Sequence, residues 1–286
     1  MSENSNPFGD EPNTGHIWDD NLRELTNQPP KWWMIGFWAS IGLVVLYSIL
    51  YPMWPLINTH TKGILGWTSI KEYKEDLKEI EAMRAKYEQQ LPGKSAAEIL
   101  ADPELKQYVV RSAKVLFGDN CAACHGSGGQ GNPGFPVLAD DDWLYGGSID
   151  KIVETITNGR QGMMPAHASR FSEQQIEDLA KHVKALSTGG EHAPGKALFE
   201  GEAGCFACHG MDGKGNQALG AANLTDGIWR FGSGSLEDIK YTIAHGVNDA
   251  SDPKTRNAVM PAFGKRLSET DIKKLAVYVH ELGGGQ

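Results

Sequence analysis

The pattern C-x-x-C-H occurs twice, as CAACHGSGGQG at residues 121–131 and CFACHGMDGKG at residues 205–215, and the two copies hold all four cysteines of the 286-residue chain. Each copy sits inside a longer repeat. VLFGDNCAACHG corresponds to ALFEGEAGCFACHG, and LADDDWLYGGSIDKIVETITNG to LTDGIWRFGSGSLEDIKYTIAHG. QGMMPAHASRFSEQQIEDLAKHVKALS corresponds to NAVMPAFGKRLSETDIKKLAVYVHELG. Whatever the chain folds into must therefore be buildable twice from about 80–90 residues, a plausible small domain. The order in each copy is a short helix, the cysteine motif, a glycine-rich loop, a helix, a Met-Pro loop and a final helix. The final helices open with Ser172-x-x-Gln175, a capping box, and Ser268-x-x-Asp271, a variant of it. Their apolar faces match: Ile176, Leu179, Val183 and Leu186 against Ile272, Leu275, Val279 and Leu282. GGEHAPG alone separates the copies, so they should pack closely. The second copy is the longer before its Met-Pro, mostly around NDASDPKTRN, which reads as a surface loop.

C-x-x-C-H is the attachment signal for c-type heme. The two thiols add to the two porphyrin vinyl groups, and the adjacent histidine lies under the iron. Cys121, Cys124 and His125 form one such set, and Cys205, Cys208 and His209 the other. A shared zinc needs tighter spacing between the pairs. A thioredoxin-like pair needs a βαβ setting, which the chain lacks. Two covalently bound hemes c are therefore expected. Met164 and Met260 occupy equivalent places, each followed by Pro-Ala, and a thioether is the soft second axial ligand that suits electron transfer. Met163 adjoins the first, but only Met164 aligns with Met260. Each proximal histidine should donate its other N–H to a backbone carbonyl, with Pro136 (in FPVL) and Ala222 (in AANL) as candidate acceptors. Trp143 and Trp229 are equivalent residues, either hydrogen-bonding a propionate or packing on the porphyrin. His182 and His280 fall on the final helices and are expected at the surface. His16, His60, His167, His192 and His245 are not assigned to iron. Gly126 to Gly131 matches G-x-G-x-x-G but follows no strand, and the sister segment GMDGKG breaks the pattern, so no dinucleotide site is read there.

No charged residue occurs between Lys31 and His60. Within that interval WWMIGFWASIGLVVLYSILYPMW is long enough to cross a bilayer, which needs about 20 helical residues. Trp32, Trp33 and Trp38 at one end and Tyr51 and Trp54 at the other form aromatic belts, and Pro52 and Pro55 close the helix. A cleaved signal peptide fits poorly, because the preceding segment is long and acidic and no A-x-A-like site follows. Lysines and arginines flank both ends, so charge alone leaves the orientation open. Residues 1–31 read as an extended tail with a short helical patch around Trp18–Leu25. Residues 68–90 read as a helix whose stripe of Ile70, Tyr73, Leu77, Ile80 and Met83 should lie on a neighbour. The net charge of −9 argues against a nucleic-acid partner.

The motif, the later Met-Pro and the flanking helices resemble class I cytochrome c domains in tandem. GHIWDDNLRELTNQPPKWW before a span, followed by DDDWLYGG and NAVMPAFG, is similar to the diheme subunit of cbb3-type cytochrome c oxidases, over about residues 14–284. The resemblance implies a mainly α chain. Its parts are a tail (1–31), one transmembrane helix (32–56), a connecting helical segment (57–103) and two cytochrome c domains (104–188 and 189–286). It implies His/Met ligation and a non-catalytic electron-transfer role, with oxygen reduced in a partner heme-copper subunit. A further membrane cytochrome subunit and a soluble or membrane-bound donor are the other implied partners. The place implied is the bacterial cytoplasmic membrane, with lipid around the single span and the heme domains on the periplasmic side. An independent membrane-tethered shuttle is the alternative, and a diheme peroxidase with one open heme a third.

Overall fold

The structure, a computed structural model, describes residues 9–19 and 21–286. It divides into a unit ending at Met83 and a unit from Arg84 to Gln286.

The first unit opens with a hairpin, β1 (Asn13–Trp18) paired antiparallel with β2 (Leu22–Leu25). This corrects the helical patch expected around Trp18–Leu25. Asp19 adopts a left-handed φ of 47°, which turns the chain and breaks any helical run. Ile17 faces Arg23 and Trp18 faces Leu22 across the ladder. Then α1 (Lys31–Leu50) starts after Pro30 and ends before Pro52, a 20-residue helix about 30 Å long. None of its residues is buried, so its apolar surface faces whatever surrounds the chain. α2 (Ser69–Glu88) continues into the second unit. The stripe expected on a neighbour is largely exposed instead: Ile70, Tyr73 and Met83 are each about two-thirds accessible.

The second unit is all helical: α3 (Ala96–Ala101), α4 (Pro103–Asn120), α5 (Ala122–His125), α6 (Ile149–Asn158), α7 (Glu173–Leu186), α8 (Ala193–Glu200), α9 (Phe206–His209), α10 (Leu236–His245) and α11 (Glu269–His280). Local signals set the starts. Ser95 and Glu98 form a capping box, and Asp102 caps α4 ahead of Pro103. Ser172 and Gln175 close the expected box on α7, and Ser268 accepts from the Asp271 amide at α11.

The helices do not pair in sequence order. The final helix of the first copy, α7, packs against α8 and α10 of the second copy, and the last helix, α11, packs against α4 and α6 of the first. Two cores result. One joins Leu91, Ile99, Leu105, Val109 and Phe117 to Ile149, Ile152 and Ile156, and closes on Ile272, Leu275 and Val279. The other joins Ile176, Leu179 and Val183 to Phe199, Ile239 and Ile243. The second lobe is thus continuous in sequence, about residues 164–245, and the first is made of the pieces on either side of it. Leu91, Ala96 and Ile99, from the expected connecting segment, belong to the first core.

The connection between α7 and α8 gives a physical reason. Residues 187–192 span at most about 20 Å when extended, which holds α8 beside the helix it follows. Gly195 makes the approach possible: a Cβ there would lie 2.0 Å from the Asp178 carbonyl of α7. Equivalent aromatic pairs mark the two lobes. Phe117 meets Tyr278 at 5.1 Å between ring centroids, and Phe199 meets His182 at 5.4 Å. His182 is therefore buried, 3% exposed, where the sequence suggested surface, because α7 turns that face to α8.

Candidate heme-binding site

In each C-x-x-C-H the first cysteine is the N-cap of a single helical turn, α5 or α9, which carries the second cysteine and the histidine, so the i, i+3 and i+4 spacing brings both sulfurs and the imidazole to one side. Gly126 and Gly210 end these turns with the same left-handed φ of 77°, and the chain folds back under the histidine. The amides of Gly131 and Gly215 donate to the His125 and His209 carbonyls, each at 2.8 Å. Gly215 can come this close only without a side chain, since a Cβ would meet the Ala221 oxygen at 2.4 Å. The loops bring up the carbonyls that the sequence offered as acceptors. His125 Nδ1 lies 3.0 Å from the Pro136 oxygen and His209 Nδ1 lies 2.9 Å from the Ala222 oxygen.

A ring that donates from Nδ1 keeps the lone pair on Nε2, the form that binds a metal. Burial holds both imidazoles below the usual histidine range, which favours the same neutral form. Burial also pushes the Cys121 and Cys205 thiols up to about 11, so they stay protonated. All four cysteines are free of disulfides. They line, with both histidines, Met164 and Met260, a cavity of about 600 Å³ running through both lobes. An apolar cavity with paired thiols, a tautomer-fixed imidazole and a thioether at each lobe fits heme c.

The methionines change places relative to the sequence order. Met260 packs against the core that holds Cys121, and Met164 against the core that holds Cys205. Each methionine thus lies in the lobe of the other copy's motif, and the two loops cross. Arg160 and Met260 exchange two backbone hydrogen bonds (2.9 and 2.8 Å), as do Met164 and Val247 (2.9 Å each). The turn glycines after α6 and α10 lie under the crossing chains. A Cβ on Gly159 would meet the Met260 oxygen at 2.4 Å, and one on Gly246 would meet the Met164 oxygen at 2.3 Å. Met163 is 67% exposed, unlike its neighbour.

The tryptophans differ from each other. Trp143 Nε1 donates to the Gly284 carbonyl at 2.6 Å, so this indole N–H is engaged by backbone and the packing role is the one left to it. Trp229 lies under Lys184 of α7, with the ammonium 5.5 Å from the ring. His192 and His245 reach carboxylates, Asp178 at 3.0 Å and Asp252 at 2.8 Å. His167 is 4% exposed, and its Nδ1 has no hydrogen-bond partner. His280 is largely covered, its side chain 14% exposed, against the expected surface position. Asp142, which also lines the cavity, is pushed up to about 6 by burial and by the nearby Asp226, Asp140 and Asp141.

Sequence reasoning missed one constellation that the repeat contains. Arg160 and Arg256 each stand four residues before the methionine. Each donates from Nε to an equivalent threonine, Thr155 at 3.0 Å and Thr242 at 2.8 Å, and stacks over an equivalent ring, Tyr145 or Phe231. Aligning the copies on Met164 and Met260 reveals the pair. Each arginine is fastened to one lobe, and the chain then passes to the other.

Residues 10–58 match the family described as the N-terminal domain of cytochrome oxidase-cbb3, FixP. Residues 109–183 and 190–279 match cytochrome c oxidase, cbb3-type, subunit III. The chain is 44% identical over 284 residues to the cbb3-type cytochrome c oxidase subunit FixP of Azorhizobium caulinodans, covering 96% of this chain and 93% of that protein. It is 39% identical over 295 residues to the subunit CcoP of Cereibacter sphaeroides, covering 97% of each. Cytochrome c domains of this kind imply heme c, and the apolar α1 fits a membrane anchor. By motif, fold and similarity along nearly its whole length, the chain belongs to the subunit III family of cbb3-type cytochrome c oxidases.

Proposed function

We propose that the chain carries two hemes c, each held by a crossed ligand set, and relays electrons from a donor cytochrome or quinol-oxidising complex to a heme-copper catalytic subunit. Cys121 and Cys124 anchor one heme between His125 and Met260. Cys205 and Cys208 anchor the other between His209 and Met164. The observation that carries this is the pairing of Met260 with the Cys121 core and Met164 with the Cys205 core. Bound heme c supplies a one-electron couple. The chain supplies the rest: a neutral histidine fixed by a carbonyl, a thioether that raises the potential, and apolar walls that keep water from the iron. Thioethers from Met164 and Met260 would hold the open side of each bound heme and leave no site for oxygen or peroxide, so the oxygen chemistry would fall to a partner subunit. Among the described residues no group of three His, Cys, Asp or Glu side chains is placed to hold a further metal.

α1 anchors the chain in the bacterial cytoplasmic membrane, with the heme lobes on the periplasmic side where heme is attached. The short segment before α1 lies in the cytoplasm. The span holds no Asp or Glu, so it carries no proton path of its own. A further membrane cytochrome subunit completes the assembly.

The test is ligand replacement in chains that keep one heme. With Cys205 and Cys208 changed to alanine, Met260→Ala should let the remaining ferrous heme bind carbon monoxide and should lower its potential, while Met164→Ala should do neither. The opposite result would mean sequence-order ligation. Heme quantitation on the intact chain should return two per chain, and one would end the proposal. Mild-detergent purification should retain the heme-copper subunit; its loss at modest salt would favour a free shuttle.

A further inference from the structure

The extra segment of the second copy, expected as a surface loop, is fastened to both methionine loops. Asn248 sits in a left-handed conformation, φ 52°, immediately after Val247. Its Nδ2 donates to the Gly162 carbonyl at 2.6 Å and to the Ala258 carbonyl at 2.9 Å, while its Oδ1 accepts from the Ala258 amide at 2.9 Å. Gly162 lies two residues before Met164, and Ala258 two residues before Met260. One side-chain amide therefore spans the two chains that cross between the lobes. Asp249 adds a one-sided tie, its Oδ2 accepting from the Ala166 amide at 2.7 Å, two residues beyond Met164. Its other oxygen is held by Ser251, through the amide at 2.8 Å and the hydroxyl at 2.6 Å, and the Asp249 amide donates to Thr255 Oγ1 at 3.0 Å. The segment itself is docked on α10, by His245 to Asp252 at 2.8 Å and by the Tyr241 hydroxyl to the Lys254 carbonyl at 2.9 Å.

We infer that Asn248 is a positioning residue for both axial methionines, so that thioether ligation at the two hemes is coupled through one amide, while Asp249 positions Met164 alone. The inference rests on the crossed ligation proposed above. The backbone of each methionine loop sets where its thioether can reach, so a shift of that backbone changes how well the sulfur can stay at its iron. Moving residues 160–164 strains the Gly162 bond to Asn248, and moving residues 256–260 strains the two Ala258 bonds to the same side chain. Either displacement therefore loosens the partner loop. Asparagine suits the place twice over. It tolerates the left-handed backbone, and it offers a donor pair and an acceptor on one planar group.

The experiment uses the full-length diheme protein in detergent, with two readouts, carbon monoxide binding by each ferrous heme and potentiometric titration. Asn248→Gly keeps the backbone conformation accessible and removes the amide. It should raise the carbon monoxide-reactive fraction of both hemes together, by roughly tenfold for the loss of a hydrogen bond at each loop, and lower both potentials. Asn248→Asp keeps the acceptor but removes both donors, preserves volume, and should act in the same direction. Asp249→Ala should act first on the heme anchored at Cys205 and Cys208, and should reach the other heme more weakly and only while Asn248 is present. If both Asn248 variants change one heme only, or neither, the coupling is refuted while the ligation stands. If Met164→Ala and Met260→Ala leave both irons closed, the ligation reading fails and this inference falls with it, a result visible without any Asn248 variant.

Discussion

Phe117 and Tyr278 stand 161 positions apart, and a double-mutant cycle on them tests the crossed packing directly. Their rings lie 5.1 Å apart at 47°, with Phe117 1% and Tyr278 8% exposed. A buried aromatic pair of this kind contributes about 0.5–1.5 kcal/mol beyond its area. Phe117→Leu and Tyr278→Leu alone should each cost about 1–2 kcal/mol, less than the ~3–5 kcal/mol of truncating a core phenylalanine to alanine. The double variant should cost less than their sum by about 0.5–1.5 kcal/mol. In a unit of this size about 1 kcal/mol moves the midpoint by roughly 2–4 °C, so the coupling is readable by thermal unfolding of the detergent-solubilised heme protein. The control is Phe117 with His182, the residue that occupies the Tyr278 place in the first copy. That pair would touch if each copy folded on itself. It should be additive within about 0.3–0.5 kcal/mol, whereas Phe199 with His182, at 5.4 Å, should couple. Additivity for Phe117 with Tyr278, together with coupling for Phe117 with His182, would refute the crossed arrangement.

Other outcomes follow from single contacts. Gly246→Ala puts a Cβ 2.3 Å from the Met164 oxygen at a left-handed φ of 66°, and should destabilise the lobe anchored at Cys205 by about 1–3 kcal/mol, read by urea unfolding. Asp142 has its ordinary 3.8 raised to about 6, so the folded chain binds that proton more tightly than the unfolded one. The resulting stability is fully present below about 3.8 and is lost as pH rises through about 6. Asp142→Asn should flatten the dependence of the urea midpoint between these values and leave the protein more stable than wild type at pH 7. The effect should be small, because the carboxyl is partly solvated. Ser172→Ala opens the capping box of α7 and should cost about 1 kcal/mol by the same unfolding measurement, recovered in part by Ser172→Asp.

Much of the site is legible in the chain because its chemistry is local. The cysteines and histidine of each motif fall on one helical turn and its N-cap, and the carbonyls of Pro136 and Ala222 follow within a loop of a dozen residues closed by glycines. The length of α1 and the caps of α4, α7 and α11 are likewise written in neighbouring residues. Trp143 was legible as a site residue but not as a donor to Gly284, since the acceptor lies 141 positions away. The hairpin at Asn13–Leu25 was missed because the helical reading overlooked the left-handed turn at Asp19.

Which methionine meets which histidine is not a local property. α7 and α11 carry the same apolar face, Ile176, Leu179 and Val183 against Ile272, Leu275 and Val279, so burial would reward either helix on either core. Periodicity and capping therefore determined that two such helices exist and what each buries, and the motifs determined what each pocket can hold. The choice of core was decided in three dimensions. The short connection from α7 to α8 keeps those helices together, Gly195 lets them touch, and α11 is left to close the core around Phe117. Met260 and Met164 travel with their helices, and the crossing held by Asn248 exists only once both lobes have formed.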